Sequence, residues 1–189
     1  MENYIKNFFQ ELSAQMNQVS WKEIAHAIKI LHATHEDDGQ VYLIGNGGSA
    51  AIASHFANDL NKTVLGKGGA KKTKRFRAIS LSDNAPTLTA WANDVGFEDV
   101  FAEQLKNFAQ EKDALVVISS SGNSPNIIKA VETAKNLHLS VIGLVGFDGE
   151  NLLSLSDAKI HVPSPKYAIV ESAHDAICHL ITTYFEELL

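Results

Sequence analysis

Leu115-Val116-Val117-Ile118 is an unbroken apolar run that stops at Ser119-Ser120-Ser121-Gly122-Asn123-Ser124-Pro125-Asn126. A run this short, bounded by turn residues, suits a strand buried on both faces. Apolar residues at helical spacing follow from Ile127 to Leu137, and Pro125 suits the first turn, where a missing N–H costs no helical bond. The pattern of apolar run, polar turn and helix recurs along the chain. Val41–Ile44 enters Gly45-Asn46-Gly47-Gly48-Ser49 and a helix from Ala50 to Leu60. Residues 61–75 read as loop, and Phe76–Leu81 reads as a second strand. Ser82-Asp83-Asn84 then caps a helix through Ala92, and a further helix runs from Glu98 to Gln110. After the strand at 114–118 come a helix at 126–137, a strand at Ser140–Val145, a short helix near Leu152, a strand at Lys159–Val162 and a last helix from Ile169 to Glu187. Wholly apolar strands alternating with helices predict an α/β fold, a doubly wound five-stranded parallel sheet covered on both faces. Ligands then gather beyond the carboxyl ends of the strands.

Two helices precede the first strand. Ile5, Phe8, Phe9, Leu12 and Met16 form one stripe over residues 3–18, as an amphipathic helix requires. Ser20 with Glu23 predicts a capping box for the next, which carries Ile24, Ala27, Ile28 and Leu31. Residues 1–38 exceed what a minimal α/β unit needs, so their apolar faces are expected to pack on the sheet or on another subunit.

The 189 residues read as one domain without internal repeats, and 45% apolar with 20% charged residues is ordinary for a globular chain. A net charge of −6 argues against non-specific nucleic-acid binding. The basic run Lys71-Lys72-Thr73-Lys74-Arg75 reads as a solvated loop. One cysteine, Cys178, excludes an internal disulfide and points to a reducing compartment. No apolar run approaches a membrane span, and the N-terminus lacks a signal pattern. A cytoplasmic location is the expectation.

Hydroxyls, free N–H groups and a helix N-terminus converge at Ser119, Ser120, Ser121 and Ser124, and such donors attract an anion. With no Lys or Arg in that loop, a phosphate held by N–H and O–H groups fits best. Gly45-Asn46-Gly47-Gly48-Ser49 permits close backbone approach but is neither a full dinucleotide fingerprint nor a Walker loop. His55 and Asp59 share a helix face, as do Glu171, Asp175 and His179. The two faces together suit a metal site or an acid/base set. Cys178 reads as core filler and the role of its neighbour His174 stays open; His26, His32, His35, His138 and His161 show no partner pattern. Asn93-Asp94 reads as an ordinary helix terminator.

Gly45-Asn46-Gly47-Gly48-Ser49 with His55-Phe56-Ala57, then Ala92-Asn93-Asp94-Val95-Gly96-Phe97, Ile118 to Ser124, and finally His174 and His179, resemble the phosphoheptose isomerases of the SIS (sugar isomerase) group. The resemblance runs nearly the whole chain and implies a flavodoxin-like SIS fold. It implies aldose–ketose isomerisation of sedoheptulose 7-phosphate for bacterial surface polysaccharide, in homotetramers with sites between subunits, many of them carrying zinc. By position, Asn46, Gly47, Gly48 and Ser49 would hold the sugar with Asn93, Asp94 and Glu171, and Ser119, Ser120, Ser121 and Ser124 the phosphate. Zn²⁺ would be bound by His55, Asp59, Glu171 and His179. Asp59 would be the carbon base, with Glu171 its rival, and His179 would move protons among the oxygens. The chain departs from the family pattern in four places: Asp59 stands for a glutamate, Glu171 for a glutamine, Ala168-Ile169 for Asp-Arg, and Thr63 for an arginine that often reaches a neighbouring site. The alternative implied by other relatives is a non-catalytic sugar-phosphate sensor or a tetrameric adaptor for a protein partner.

Overall fold

The structure, a computed structural model, describes residues 1–66 and 74–189. One all-parallel sheet contains β1 (Gln40–Gly45), β2 (Arg77–Ser80), β3 (Ala114–Ser119), β4 (Ser140–Val145) and β5 (Ala158–His161) in the order β2-β1-β3-β4-β5. Among the described residues it is flanked by α1 (Glu2–Met16), α2 (Trp21–Glu36), α3 (Gly48–Asn61), α4 (Ala85–Asp94), α5 (Ala102–Phe108), α6 (Pro125–Asn136), α7 (Glu150–Leu155) and α8 (Tyr167–Leu188).

Strand side chains alternate between faces, so each strand feeds two cores. Leu43, Val116, Ile118, Ile142, Leu144 and Ile160 pack with residues of α2, α3 and α8. Ile44, Leu115, Val117, Val141 and Val145 pack with residues of α5, α6 and α7. β3, with β1 and β4 on either side, is buried at every position. Phe56 of α3 and Phe185 of α8 are fully buried, each contributing about 2 kcal/mol of apolar transfer free energy.

The predicted capping box at Ser20 does not form. Ser20 is the N-cap of α2, but its side chain makes no cap bond. Glu23 Oε2 accepts instead from the Lys159 N–H at 2.7 Å. β5 is an edge strand, and an amide on an open edge lacks a strand partner; the carboxylate supplies one, while solvent can serve the helix terminus. The predicted single helix from Glu98 to Gln110 is two pieces, a 3₁₀ turn at Phe97–Asp99 and the shorter α5. Asp99 points inward from that turn and meets Lys129 Nζ at 2.7 Å, anchoring it to α6. Of Ser82-Asp83-Asn84, it is Asn84 that caps α4, accepting from the Thr87 N–H at 3.1 Å.

The first two helices differ in role. α2 buries Ile24, Ala27 and Leu31 against the sheet, whereas α1 buries none of its residues within the chain and rests on α8. Lys71, Lys72 and Thr73 of the basic run lie outside the described residues; Lys74 Nζ donates to the Glu36 carbonyl at 2.6 Å. No helix among the described residues is long and apolar enough to cross a membrane.

His174 of α8 is fully buried, and neither ring nitrogen has a hydrogen bond of good geometry. Burial pushes its imidazole down to about 4, the nearby Val145 backbone opposing this only in part. The unfolded chain therefore takes up a proton near pH 6.5 that the native state refuses until about pH 4. Stability from this group is complete above pH 6.5 and lost as pH falls through that window, by roughly 3 kcal/mol. Denaturant titrations at pH 7 and pH 4.5 should show the loss in the parent and a clearly smaller one in His174→Leu; equal losses in both would acquit His174.

Candidate active site

The chain leaves β1 toward β2 and returns in β3 on the other side of β1. Loops from such neighbouring strands diverge and leave a crevice at their carboxyl ends. Gly45 and Ile118 are register partners there, so the glycine turn and the serine loop start side by side. Gly47 has φ +53° and ψ −122°, a backbone region that strains any residue with a Cβ. That conformation lets the turn act as N-cap of α3. A cavity of about 570 Å³ opens beside it, lined by Asn46, Gly96, Phe97, Glu98, Ser124 and Asn126 among others.

The four serines divide into two pairs. Ser119 and Ser120 are 6% and 5% exposed. The Ser119 hydroxyl accepts from the Gly122 N–H at 3.1 Å and shapes the loop, while the Ser120 hydroxyl is buried without a partner. Ser121 and Ser124 are partly exposed. Ser121 accepts a long 3.4 Å bond from the Asn123 N–H. Ser124 is the N-cap of α6 yet makes no side-chain cap bond, so its hydroxyl is available to the cavity it lines. Ser49 is buried in the first turn of α3. Asn93 donates to Asp94 at 2.7 Å on the exposed end of α4, immediately before the cavity wall that begins at Val95.

The second half of the site is built where α3 packs on α8. Apolar residues of α8 such as Val170, Ala173, Ile177 and Ile181 face the core, and this leaves Glu171, Asp175 and His179 on the side toward α3. The His55 and His179 rings meet edge to face, with centroids 4.9 Å apart. Asp175 reaches His55 Nδ1 at 3.4 Å and His179 Nδ1 at 3.9 Å. Asp59 approaches the opposite sides of both rings, 3.7 Å from His55 Nε2 and 3.8 Å from His179 Nε2. Its other oxygen accepts from the Thr63 hydroxyl at 2.8 Å, and its side chain is only 8% exposed. Two carboxylates thus hold two imidazoles between them.

Tetrahedral zinc with bonds of about 2.0–2.2 Å separates its ligand atoms by roughly 3.3–3.6 Å, close to the spacings observed. By donor type and spacing His55, His179 and Asp175 fit a zinc ion, whereas Asp59 faces the opposite ring nitrogens. His55, Asp175 and His179 bring one ligand atom each within 4.8 Å of one another. Glu171 stands outside that trio. Its two oxygens lie 2.7 Å from where a Cβ on Gly48 would sit, over the glycine turn and at the positive end of the α3 dipole.

Sequence reasoning missed the direct contacts of Asp175, the Thr63 bond to Asp59 and the place of Asn126, buried at the cavity wall. Thr63 lies four residues after Asp59, a spacing that offered a signal. Asn126 had a fainter one, a polar residue buried at a helix start whose neighbours are apolar.

The obstacle to a side chain at position 48 is the far end of a flexible glutamate. Gly48→Ala should therefore fold with a thermal midpoint within about 5 °C of the parent, while its crystal structure shows the Glu171 carboxylate swung off the glycine turn. A carboxylate left in its parent position would refute the contact.

With this geometry in view, the likeness to known proteins is specific. The SIS domain family model matches residues 3–146. A phosphoheptose isomerase of Helicobacter pylori (strain ATCC 700392 / 26695) is 37% identical over 194 residues, covering 98% of this chain and 96% of that one. The solved phosphoheptose isomerase of Francisella tularensis superposes with a TM-score of 0.87 at 32% identity, covering 98% of this chain and 96% of that one. That of Neisseria gonorrhoeae gives 0.86 at 29% identity, with 98% of both chains covered. With a crevice at the switch point and a cluster of histidines and carboxylates where α3 packs on α8, the chain is a member of the phosphoheptose isomerase family of SIS-domain enzymes.

Proposed function

We propose that this enzyme isomerises sedoheptulose 7-phosphate to D-glycero-D-manno-heptose 7-phosphate, an aldose–ketose exchange. The observation that carries the reading is one crevice with uncommitted hydroxyls and a helix N-terminus in one loop and two histidines among three carboxylates nearby. Ser121, Ser124 and the N–H groups at the start of α6 bind the phosphoryl end. The loop that Ser119 and Ser120 shape supports them. Asn46, Gly47, Gly48 and Ser49 hold the sugar with Asn93 and Asp94.

A base removes a proton from C1 of the ketose while an acid protonates the oxygen on C2; the enediol then loses its O1 proton and gains one at C2. Asp59 is enclosed by Thr63 and both imidazoles, which favours Glu171, partly exposed over the glycine turn, as the carbon base. Asp59 then orients His55 and His179. His179, about half exposed, carries protons between the two oxygens. Acidic residues at both positions 59 and 171, beside His179, support an enzyme over a sensor. His55, His179 and Asp175 would hold zinc, with Asp59 steadying the far sides of both rings and Glu171 one turn along α8; when bound, the ion supplies a Lewis acid for the sugar oxygens.

We propose further that the chain works in the cytoplasm as a homotetramer with sites between subunits. In support, α1 and α4 bury no residue within one chain, and Tyr4 and Phe9 of α1 are 78% and 63% exposed. Sedimentation should give a mass near four chains; a monomer at micromolar concentration would refute the assembly.

Purified protein with sedoheptulose 7-phosphate should form the aldose, and absence of turnover with and without zinc would overturn the reading. Glu171→Gln should lower kcat by about 10²–10⁴ with little change in KM; a wild-type rate would return the base to Asp59. Ser121→Ala with Ser124→Ala should mainly raise KM, because phosphate binding is common to ground and transition states. Zinc titration calorimetry should find one site per chain, lost in His55→Ala; unchanged binding would sink that assignment.

A further inference from the structure

The amide side chains of Asn46 and Asn126 close on each other in a ring. Asn46 Nδ2 donates to Asn126 Oδ1 at 2.9 Å, and Asn126 Nδ2 donates back to Asn46 Oδ1 at 2.9 Å. The pair bridges the two loops of the switch point, since Asn46 lies in the turn after β1 and Asn126 is the second residue of α6. Both line the cavity with Ser124. Asn126 is 2% exposed, so packing fixes it; Asn46 is partly exposed and faces the cleft.

A primary amide has two N–H donors and two acceptor lone pairs. In the ring Asn46 commits one of each to Asn126. One N–H and one lone pair remain, held in a single plane at the rim of the cleft. Both settings of the paired amides leave the same inventory. A sugar hydroxyl both donates and accepts, so this remainder matches a hydroxyl or a pair of adjacent ones. Without its partner, the Asn46 amide would rotate freely and compete with water for its bonds, and a bound sugar would have to order it.

We infer that Asn126 is a positioning residue, which acts through Asn46 to fix the sugar-binding amide in place. This rests on the sugar-phosphate reading of the crevice, and the two separate experimentally. Asn126→Ala, Asn46→Ala and the double variant are compared by kcat, KM and the inhibition constant of inorganic phosphate, with Asn126→Asp as an isosteric variant that accepts but does not donate. Asn126→Ala should lower kcat/KM about 10- to 100-fold, and the phosphate inhibition constant should stay within about threefold, because the serine loop is untouched. The double variant should be no worse than Asn46→Ala alone. Losses that multiply in the double variant, or an Asn126→Ala enzyme within threefold of the parent, would overturn the inference.

A readout free of turnover completes the test. The Asn46 side-chain amide protons, assigned by NMR in the ligand-free protein, should exchange with solvent at least tenfold faster in Asn126→Ala, or in Asn126→Leu if only that variant folds, while Asn126→Asp, which keeps the acceptor, should hold them near the parent rate. Unchanged exchange in the variant that loses the acceptor would overturn the inference on its own. Wild-type protein that turns over no sedoheptulose 7-phosphate would count against the sugar reading, and the exchange result would still decide the role of Asn126.

Discussion

The burial of β1 and β3 on both faces is the constraint that organises the molecule. Neither strand carries a charged side chain inside the sheet, and the polar residues that follow them are displaced to the carboxyl ends. Because β2 and β3 lie on opposite sides of β1, the connections after β1 and β3 depart to opposite faces of the sheet and leave a gap. The proposed sugar and phosphate contacts of the two loops take place in that gap. Two independent bonds tie its sides: the amide ring between the two asparagines, and the Lys129–Asp99 ion pair that holds the Phe97–Asp99 wall on α6.

The long C-terminal helix adds the chemistry that the sheet cannot supply. Its apolar stripe is driven against α3 and the strands by burial, and that packing presents the remaining face to the neighbouring helix. His55 and Asp59 are spaced to meet it. Neither pair of residues has meaning alone on its own helix; the helix crossing brings acid and imidazole groups to one point. Thr63 then occupies the oxygen of Asp59 that the histidines leave free. The shorter acid and the threonine together make a compact, buried hydrogen-bonded unit where a longer carboxylate would have to be accommodated differently.

Much of this was legible in the residues themselves. Apolar runs ending in Gly or Ser gave the strands and the parallel, doubly wound class, because a doubly buried strand has a pattern that few other elements share. The i, i+4 spacing of His55 with Asp59 and of Asp175 with His179 announced two polar faces, and the crossing of α3 and α8 brings them together. Contacts between distant residues were not legible. Glu23 suits a capping box by spacing, and only the proximity of an edge amide at Lys159 diverts it. The four serines read alike in sequence, yet Ser119 and Ser120 are buried, Ser121 is partly exposed and Ser124 lines the cavity. Asp175 was equivalent to Glu171 until the crossing of α3 and α8 set which carboxylate reaches the imidazoles.

The contact between Gly48 and Glu171 has an evolutionary consequence. The glutamate fills the volume that the glycine leaves vacant, so the two positions are not free to drift separately. A larger residue at 48 is accommodated by the fold because the glutamate can swing aside, and it then costs the carboxylate its place over the glycine turn. The two sites form an epistatic pair, separated by more than a hundred positions in the chain and joined by a single void.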